Sequence, residues 1–283
     1  MRIEIRDIGA DGAENHVRLC SYILEASEEL QVKDRPLILV CPGGGYSFTS
    51  DREADPVALQ FNAMGFHSAI LRYSVAPAEY PAALLEVGSS ILHIRRNAKK
   101  WHVDPDRIIL IGFSAGGHLA CSYTCFYGEE FMTKKLGASA DQLKVNGLIL
   151  GYPVITSGEF AHRESIENLL GKQASDQSLW EKMSLENQIT ENMPRTFIWH
   201  TCEDDLVPVQ NSLLLMEALI RKNIPVECHI FEKGGHGLSL CDWSTQDKDG
   251  FGIEENCRQW IPLVKAWLNY YLEEKRSDAV SND

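Results

Sequence analysis

Along the chain, continuous apolar runs alternate with segments in which apolar side chains recur every three or four positions. PLILVCPGGG (36–45), FHSAILRY (66–73), RIILIGF (107–113), VNGLILGYP (145–153), RTFIWHT (195–201) and VECHIFE (226–232) are runs of the first kind. Such runs predict strands buried on both faces of a mainly parallel sheet. Between them, helix-like 53–64, the long segment 82–101 with Leu84, Leu85, Ile91, Leu92 and Ile94, and a final helix over about 256–273 show helical spacing. Two shorter alternating segments, RIEIRDI (2–8) and VRLCSYIL (17–24), precede the first buried run. Strand and helix signals in alternation imply right-handed βαβ crossovers and an open sheet with helices on both faces. The acidic interval 156–193 has no strong strand signal and is too long for a simple connection, so a small cap is expected there. One α/β domain over 1–275 followed by a frayed tail, 276–283, accounts for the whole pattern.

Composition narrows the function classes. The chain has 283 residues and is 44% hydrophobic, enough for one large domain and cramped for two. Its 27 basic and 40 acidic residues give a formal charge of −13, which disfavours phosphate backbones and anionic lipid. The N-terminus carries charges every few residues and lacks a continuous apolar core, unlike a signal peptide, and no stretch has membrane-spanning length. Eight scattered cysteines without paired C-x-x-C spacing read as reduced thiols in a cytoplasmic protein, with Cys121 and Cys125 sharing a helix face and not a metal.

Candidate chemistry begins at Gly112-Phe113-Ser114-Ala115-Gly116. A G-x-S-x-G match arises by chance in about one chain of this length in ten. Its setting adds the weight: a buried strand runs into it and a helix leaves it, as a nucleophile elbow requires. A serine hydroxyl needs a base, and among nine histidines His236 lies in a glycine loop, KGGHG, directly after the last strand signal. His93, His102, His118 and His229 sit on or beside helices and strands and read as packing or surface residues. The base needs a carboxylate, and the turn in WHTCEDDLVP (199–208) offers Glu203, Asp204 and Asp205. The order serine, acid, histidine is that of α/β-hydrolases. Pro42-Gly43-Gly44-Gly45-Tyr46, after another buried strand, reads as a loop whose amides approach a developing oxyanion, with the Ala115 amide completing the set.

With these pieces in place, the chain resembles the α/β-hydrolase superfamily, in its acetyl esterase and acetyl-xylan-esterase-like lipase/esterase branch. The resemblance rests on PGGGY (42–46), LRYSVAPAEYPAAL (71–84), DPDRIILIGFSAGGHLA (104–120), WHTCEDDLVP and GGHG (234–237). Pro42 stands where related esterases often carry His, and Ser74 departs from the common Y-R-x-A-P. The resemblance implies Ser114 as nucleophile, His236 as base, and Gly44, Gly45 and Ala115 as oxyanion donors. It places the acid at Asp204, in H-x-x-x-D-x-x-V-P, with Asp205 one residue away as the alternative. The expected activity is hydrolysis of short acyl esters, acetyl foremost, of a small alcohol or sugar, with no metal or organic cofactor. A small amidase, formamidase or peptidase-like α/β-hydrolase and a non-catalytic ligand-binding α/β-hydrolase are the competing readings. Tyr46 and the 156–193 segment are expected to wall the cleft, and a homo-oligomer is left open.

Overall fold

In a computed structural model the described residues are 1–8 and 17–269. Eight strands form a single sheet: β1 (Arg2–Asp7), β2 (Arg18–Ile23), β3 (Arg35–Cys41), β4 (His67–Arg72), β5 (Val103–Phe113), β6 (Gly147–Gly151), β7 (Thr196–Thr201) and β8 (Val226–Phe231). Their order is β1-β2-β4-β3-β5-β6-β7-β8. The pairs β1/β2 and β2/β4 are antiparallel, and every pair from β4/β3 to β7/β8 is parallel. The parallel part follows from the continuous apolar runs, which bury side chains on both faces.

Alternation along each strand divides the core into two layers. Leu37, Leu39, Ile108 and Leu110 point into one, where α2 (Ala82–Trp101), α3 (Ser114–Phe126) and α8 (Gln210–Arg221) cover the sheet. Ile38, Val40, Ile109 and Ile111 point into the other. That face is covered by α1 (Asp55–Ala63) and by a helix over 260–269, which contributes Trp260, Val264, Trp267 and Leu268. The remaining helices are α4 (Glu130–Leu136), α5 (Ala140–Leu143), α6 (Arg163–Leu170) and α7 (Gln177–Lys182). The end of the expected final helix and the tail 276–283 lie outside the described residues.

The 156–193 interval holds no strand. It contains α6, α7 and two short 3₁₀ turns, at Gly171–Ser175 and Leu185–Asn187. It is tied to the loop after β3, since Asn168 Nδ2 donates to the Gly45 carbonyl at 2.9 Å. No described helix is long and apolar enough to cross a membrane.

Candidate active site

The carboxyl ends of β3, β5, β7 and β8 converge on one edge of the sheet, the edge at which open α/β sheets bind ligands. Ser114 follows β5 with φ +52°, a left-handed conformation costly for a non-glycine residue and held here by its surroundings. The turn admits nothing larger than glycine beside it. A Cβ on Gly116 would lie 2.1 Å from the Cys41 carbonyl oxygen and 2.3 Å from that of Pro42, and one on Gly112 would lie 2.2 Å from the Gly116 carbonyl oxygen. Close approach of β3, β5 and α3 therefore requires these glycines.

His236, in the loop after β8, accepts at Nε2 from the Ser114 hydroxyl at 2.7 Å. Its Nδ1 donates to Asp204 Oδ2, also at 2.7 Å. Asp204 is buried after β7, and four donors converge on its carboxylate. Oδ1 accepts from the amides of Leu206 at 3.1 Å and Val207 at 2.8 Å. Oδ2 accepts from His236 and from His200 Nε2 at 3.1 Å. Burial pushes the Asp204 carboxyl up, but the hydrogen bonds from His200, His236 and the Val207 amide outweigh it and hold the group well below the usual carboxylate range. Asp205 is exposed and, among the described residues, Glu203 accepts from the Gly234 amide, at 3.2 Å, so of the three acids the structure brings Asp204 to the histidine.

His200 was not singled out as a site residue, yet it is fully buried against the acid. Its Nε2 faces two acceptors, Asp204 Oδ2 and the Val207 carbonyl at 2.9 Å, so that nitrogen carries a proton, while Nδ1 meets the Ser212 hydroxyl at 2.8 Å. The H-x-x-x-D spacing was the available signal: it puts a strand residue and a turn residue of the same hairpin of chain side by side.

Opposite the serine lies the glycine loop. Gly44 has φ +128°, and a Cβ there would fall 2.2 Å from the Phe48 carbonyl oxygen; Gly45 has φ +61°. The amides of Gly44 and Gly45 donate to no acceptor among the described residues. The Ala115 amide lies in the first turn of α3, where intrahelical acceptors are lacking. Gly44 and Gly45 line the cleft beside Ser114, and Ala115 is the residue directly after it.

The cleft has a volume of about 330 Å³, and its walls include Phe48, Arg52, His162, Glu164 and Leu206. Tyr46 is not among them. Its φ of +58° turns the side chain inward, where it is 1% exposed and its hydroxyl donates to His118 Nδ1 at 2.9 Å. The expectation that Tyr46 walls the cleft is therefore corrected: Phe48, two residues on and largely exposed, takes that place. His162 and Glu164 come from the start of the 156–193 interval, which does reach the cleft. A larger cavity of about 630 Å³ within that interval, beside Arg163 and Trp180, includes none of Ser114, Asp204 and His236.

These features have counterparts among known proteins. The sequence profile of the BD-FAE family matches residues 26–219. Endo-1,4-beta-xylanase B of Butyrivibrio fibrisolvens is 34% identical over 212 residues, 74% of this chain and 33% of that protein. The acetylxylan esterase of Xylanibacter ruminicola is 29% identical over 212 residues, 73% of this chain and 42% of its own length. The chain therefore matches only about a third to two fifths of the length of these curated relatives. Among solved structures, the acetyl ester-xyloside bifunctional hydrolase from Caldicellulosiruptor lactoaceticus aligns with a TM-score of 0.79 and 34% identity, over 94% of this chain and 96% of that one. The carboxylesterase Cest-2923 from Lactobacillus plantarum aligns with a TM-score of 0.82 and 30% identity, over 95% and 98%.

Proposed function

This chain belongs to the BD-FAE family of α/β-hydrolases, and from that premise we propose that it is a serine carboxylesterase acting on short-chain acyl esters, acetyl above all, of a small alcohol or sugar. The observation that carries the reading is the unbroken hydrogen-bonded line Ser114–His236–Asp204 in a cleft that Gly44 and Gly45 also line.

In this reading His236 Nε2 removes the hydroxyl proton as Ser114 Oγ bonds to the ester carbonyl carbon. The carbonyl oxygen becomes an oxyanion held by the three amides, and Asp204 stabilises the imidazolium. Collapse breaks the bond to the leaving oxygen, which takes the proton from His236 and departs as the alcohol. Water, deprotonated by the same nitrogen, then attacks the acyl-enzyme, and the second collapse returns the proton to Ser114. Each step uses only side chains, backbone amides and water.

Acetyl preference is supported by the names of the Xylanibacter and Caldicellulosiruptor relatives and by the modest size of the cleft. The eight free thiols fit a reducing, cytoplasmic setting. A panel of p-nitrophenyl acetate, butyrate and octanoate, acetylated xylo-oligosaccharides and the matching anilides tests the assignment. The expected order of kcat/KM is acetate, then butyrate, then octanoate, with anilides far below. A flat or rising preference through octanoate would contradict the acetyl assignment, and faster anilide cleavage would favour an amidase.

A further inference from the structure

Behind the glycine loop lies a carboxylate that the steps above do not use. Glu53 is 4% exposed and makes no ion pair with any described residue. Burying a carboxylate without a cation works against stability unless hydrogen bonds compensate it. Its two oxygens are spent on two different parts of the site.

Oε2 accepts from the Gly43 amide at 2.7 Å, while the Gly43 carbonyl accepts from the Ser50 amide at 2.9 Å. Both polar groups of Gly43 are thereby paired within the loop and with Glu53, while the next two amides, of Gly44 and Gly45, which line the cleft, have no acceptor among the described residues. The fit is tight: a Cβ on Gly43 would lie 2.7 Å from Glu53 Oε2, 2.8 Å from the Phe113 carbonyl oxygen and 2.9 Å from Ser114 Cβ. No side chain fits between the loop and the Glu53 carboxylate at this position.

Oε1 accepts from the Tyr152 hydroxyl at 2.6 Å. Tyr152 stands at the end of β6 and is fully enclosed. Its hydroxyl oxygen accepts in turn from the Ser239 amide at 2.9 Å, three residues past His236. Its ring packs edge-on against the His236 imidazole, with centroids 5.1 Å apart. A second tie runs in parallel, as the Ser239 hydroxyl donates to the Arg52 carbonyl at 2.6 Å. The loops carrying the oxyanion amides and the base, far apart in sequence, thus meet through one buried carboxylate and one tyrosine.

We propose that Glu53 is a positioning residue which, through the Gly43 amide and the Tyr152 hydroxyl, holds the oxyanion loop and the His236 loop in fixed register on the same reacting carbonyl. The inference rests on the esterase reading and adds to it: donors and base must be aligned together, because each acts on a different atom of one tetrahedral intermediate.

Glu53→Gln is the direct perturbation. An amide can give the Gly43 N–H an acceptor only by aiming its NH₂ at Tyr152, whose hydroxyl then loses its own acceptor; the reverse rotamer sets NH₂ against the Gly43 amide. In the first orientation the Tyr152 oxygen can still accept from that NH₂, so the tie survives reversed with the hydroxyl proton unpaired; in the second the Gly43 tie is lost. With p-nitrophenyl acetate, kcat per fluorophosphonate-titrated site is expected to fall about 10²-fold, the scale of losing one oxyanion donor, with KM within about threefold of the parent.

Tyr152→Phe cuts the second link and keeps the ring, with an expected loss of about tenfold in kcat. In the double variant the losses should not multiply, since residues acting as a unit are non-additive. A Glu53→Gln enzyme within twofold of the parental kcat, or losses that multiply in the double variant, would overturn the proposal. Should Glu53→Gln fail to fold, Tyr152→Phe decides: a tenfold loss at unchanged KM supports the proposal and parental kcat overturns it. Ser114→Ala in the same assay separates the two layers, because activity surviving there refutes the esterase reading itself.

Discussion

Replacing Asp204 by asparagine changes one atom, and the structure dictates which way the amide must face. Oδ1 accepts from two backbone amides, of Leu206 and Val207, at 3.1 and 2.8 Å. These donors cannot change their protonation, and leaving the buried Val207 amide unpaired costs about 1–3 kcal/mol. The asparagine carbonyl therefore stays on that side, and its NH₂ takes the place of Oδ2, 2.7 Å from His236 Nδ1 and 3.1 Å from His200 Nε2. His200 keeps its proton, because the Val207 carbonyl at 2.9 Å still accepts from Nε2. His236 has an easier escape: it moves its proton to Nε2 and presents the Nδ1 lone pair to the new NH₂. That tautomer points a proton at the Ser114 hydroxyl and abolishes its function as a base. The same change in a serine protease lowers kcat by about 10⁴, or about 5 kcal/mol of barrier, and a loss of that size is expected for Asp204→Asn. The assay is steady-state hydrolysis of p-nitrophenyl acetate alongside a thermal melt, which should stay close to the parent. Asp205→Asn, at an exposed position without a described hydrogen bond, should remain within twofold of parental kcat. An Asp204→Asn enzyme retaining a tenth of parental kcat, or Asp205→Asn as the crippled variant, would refute the reasoning.

Two further outcomes follow from buried contacts. Burial lowers the His118 pKa to about 4 from an ordinary 6.5, so the unfolded state binds the extra proton first. The neutral imidazole's contribution is complete above about pH 6.5 and is lost as pH falls through about 4, on the order of 3 kcal/mol in all; melting temperatures across pH 7 to 4 should drop less steeply in His118→Gln than in the parent, and parallel curves would count against it. Gly116→Ala would press a methyl group against two backbone carbonyls that have no rotamer to yield. Overpacking of about 1–3 kcal/mol should lower the melting temperature by roughly 2–5 °C and cut turnover, whereas a variant with parental melting and kcat would show that the elbow relaxes freely.

The parallel strands were legible because burial on both faces leaves continuous apolar runs, as in LILVC before the glycine loop and IILIGF before Ser114. That Ser114, Asp204 and His236 lie together was legible for a related reason: each follows a strand signal, and strand ends in a parallel sheet share one edge. Directions of single side chains were not legible. Tyr46 adjoins the glycine loop in sequence, but a backbone φ of +58° sends it into the core and leaves Phe48 at the cleft. Glu53 read as the start of a helix, whereas α1 begins at Asp55 and the Glu53 partner Tyr152 lies 99 residues away. His162 sat in an interval without a motif, and only the path of that interval over the sheet edge brings it to the cleft. Local pattern reports burial and period; pairings across long sequence separations arise from the packed fold.

The central claim is that Ser114 carries the acyl group. Intact-mass spectrometry of enzyme quenched within milliseconds of mixing with p-nitrophenyl acetate, followed by peptide mapping, measures this directly. A single adduct with the mass of one acetyl group is expected on Ser114, disappearing as substrate is exhausted, with neither adduct nor turnover in Ser114→Ala. Acetyl found on another residue, or turnover persisting in Ser114→Ala, would contradict it.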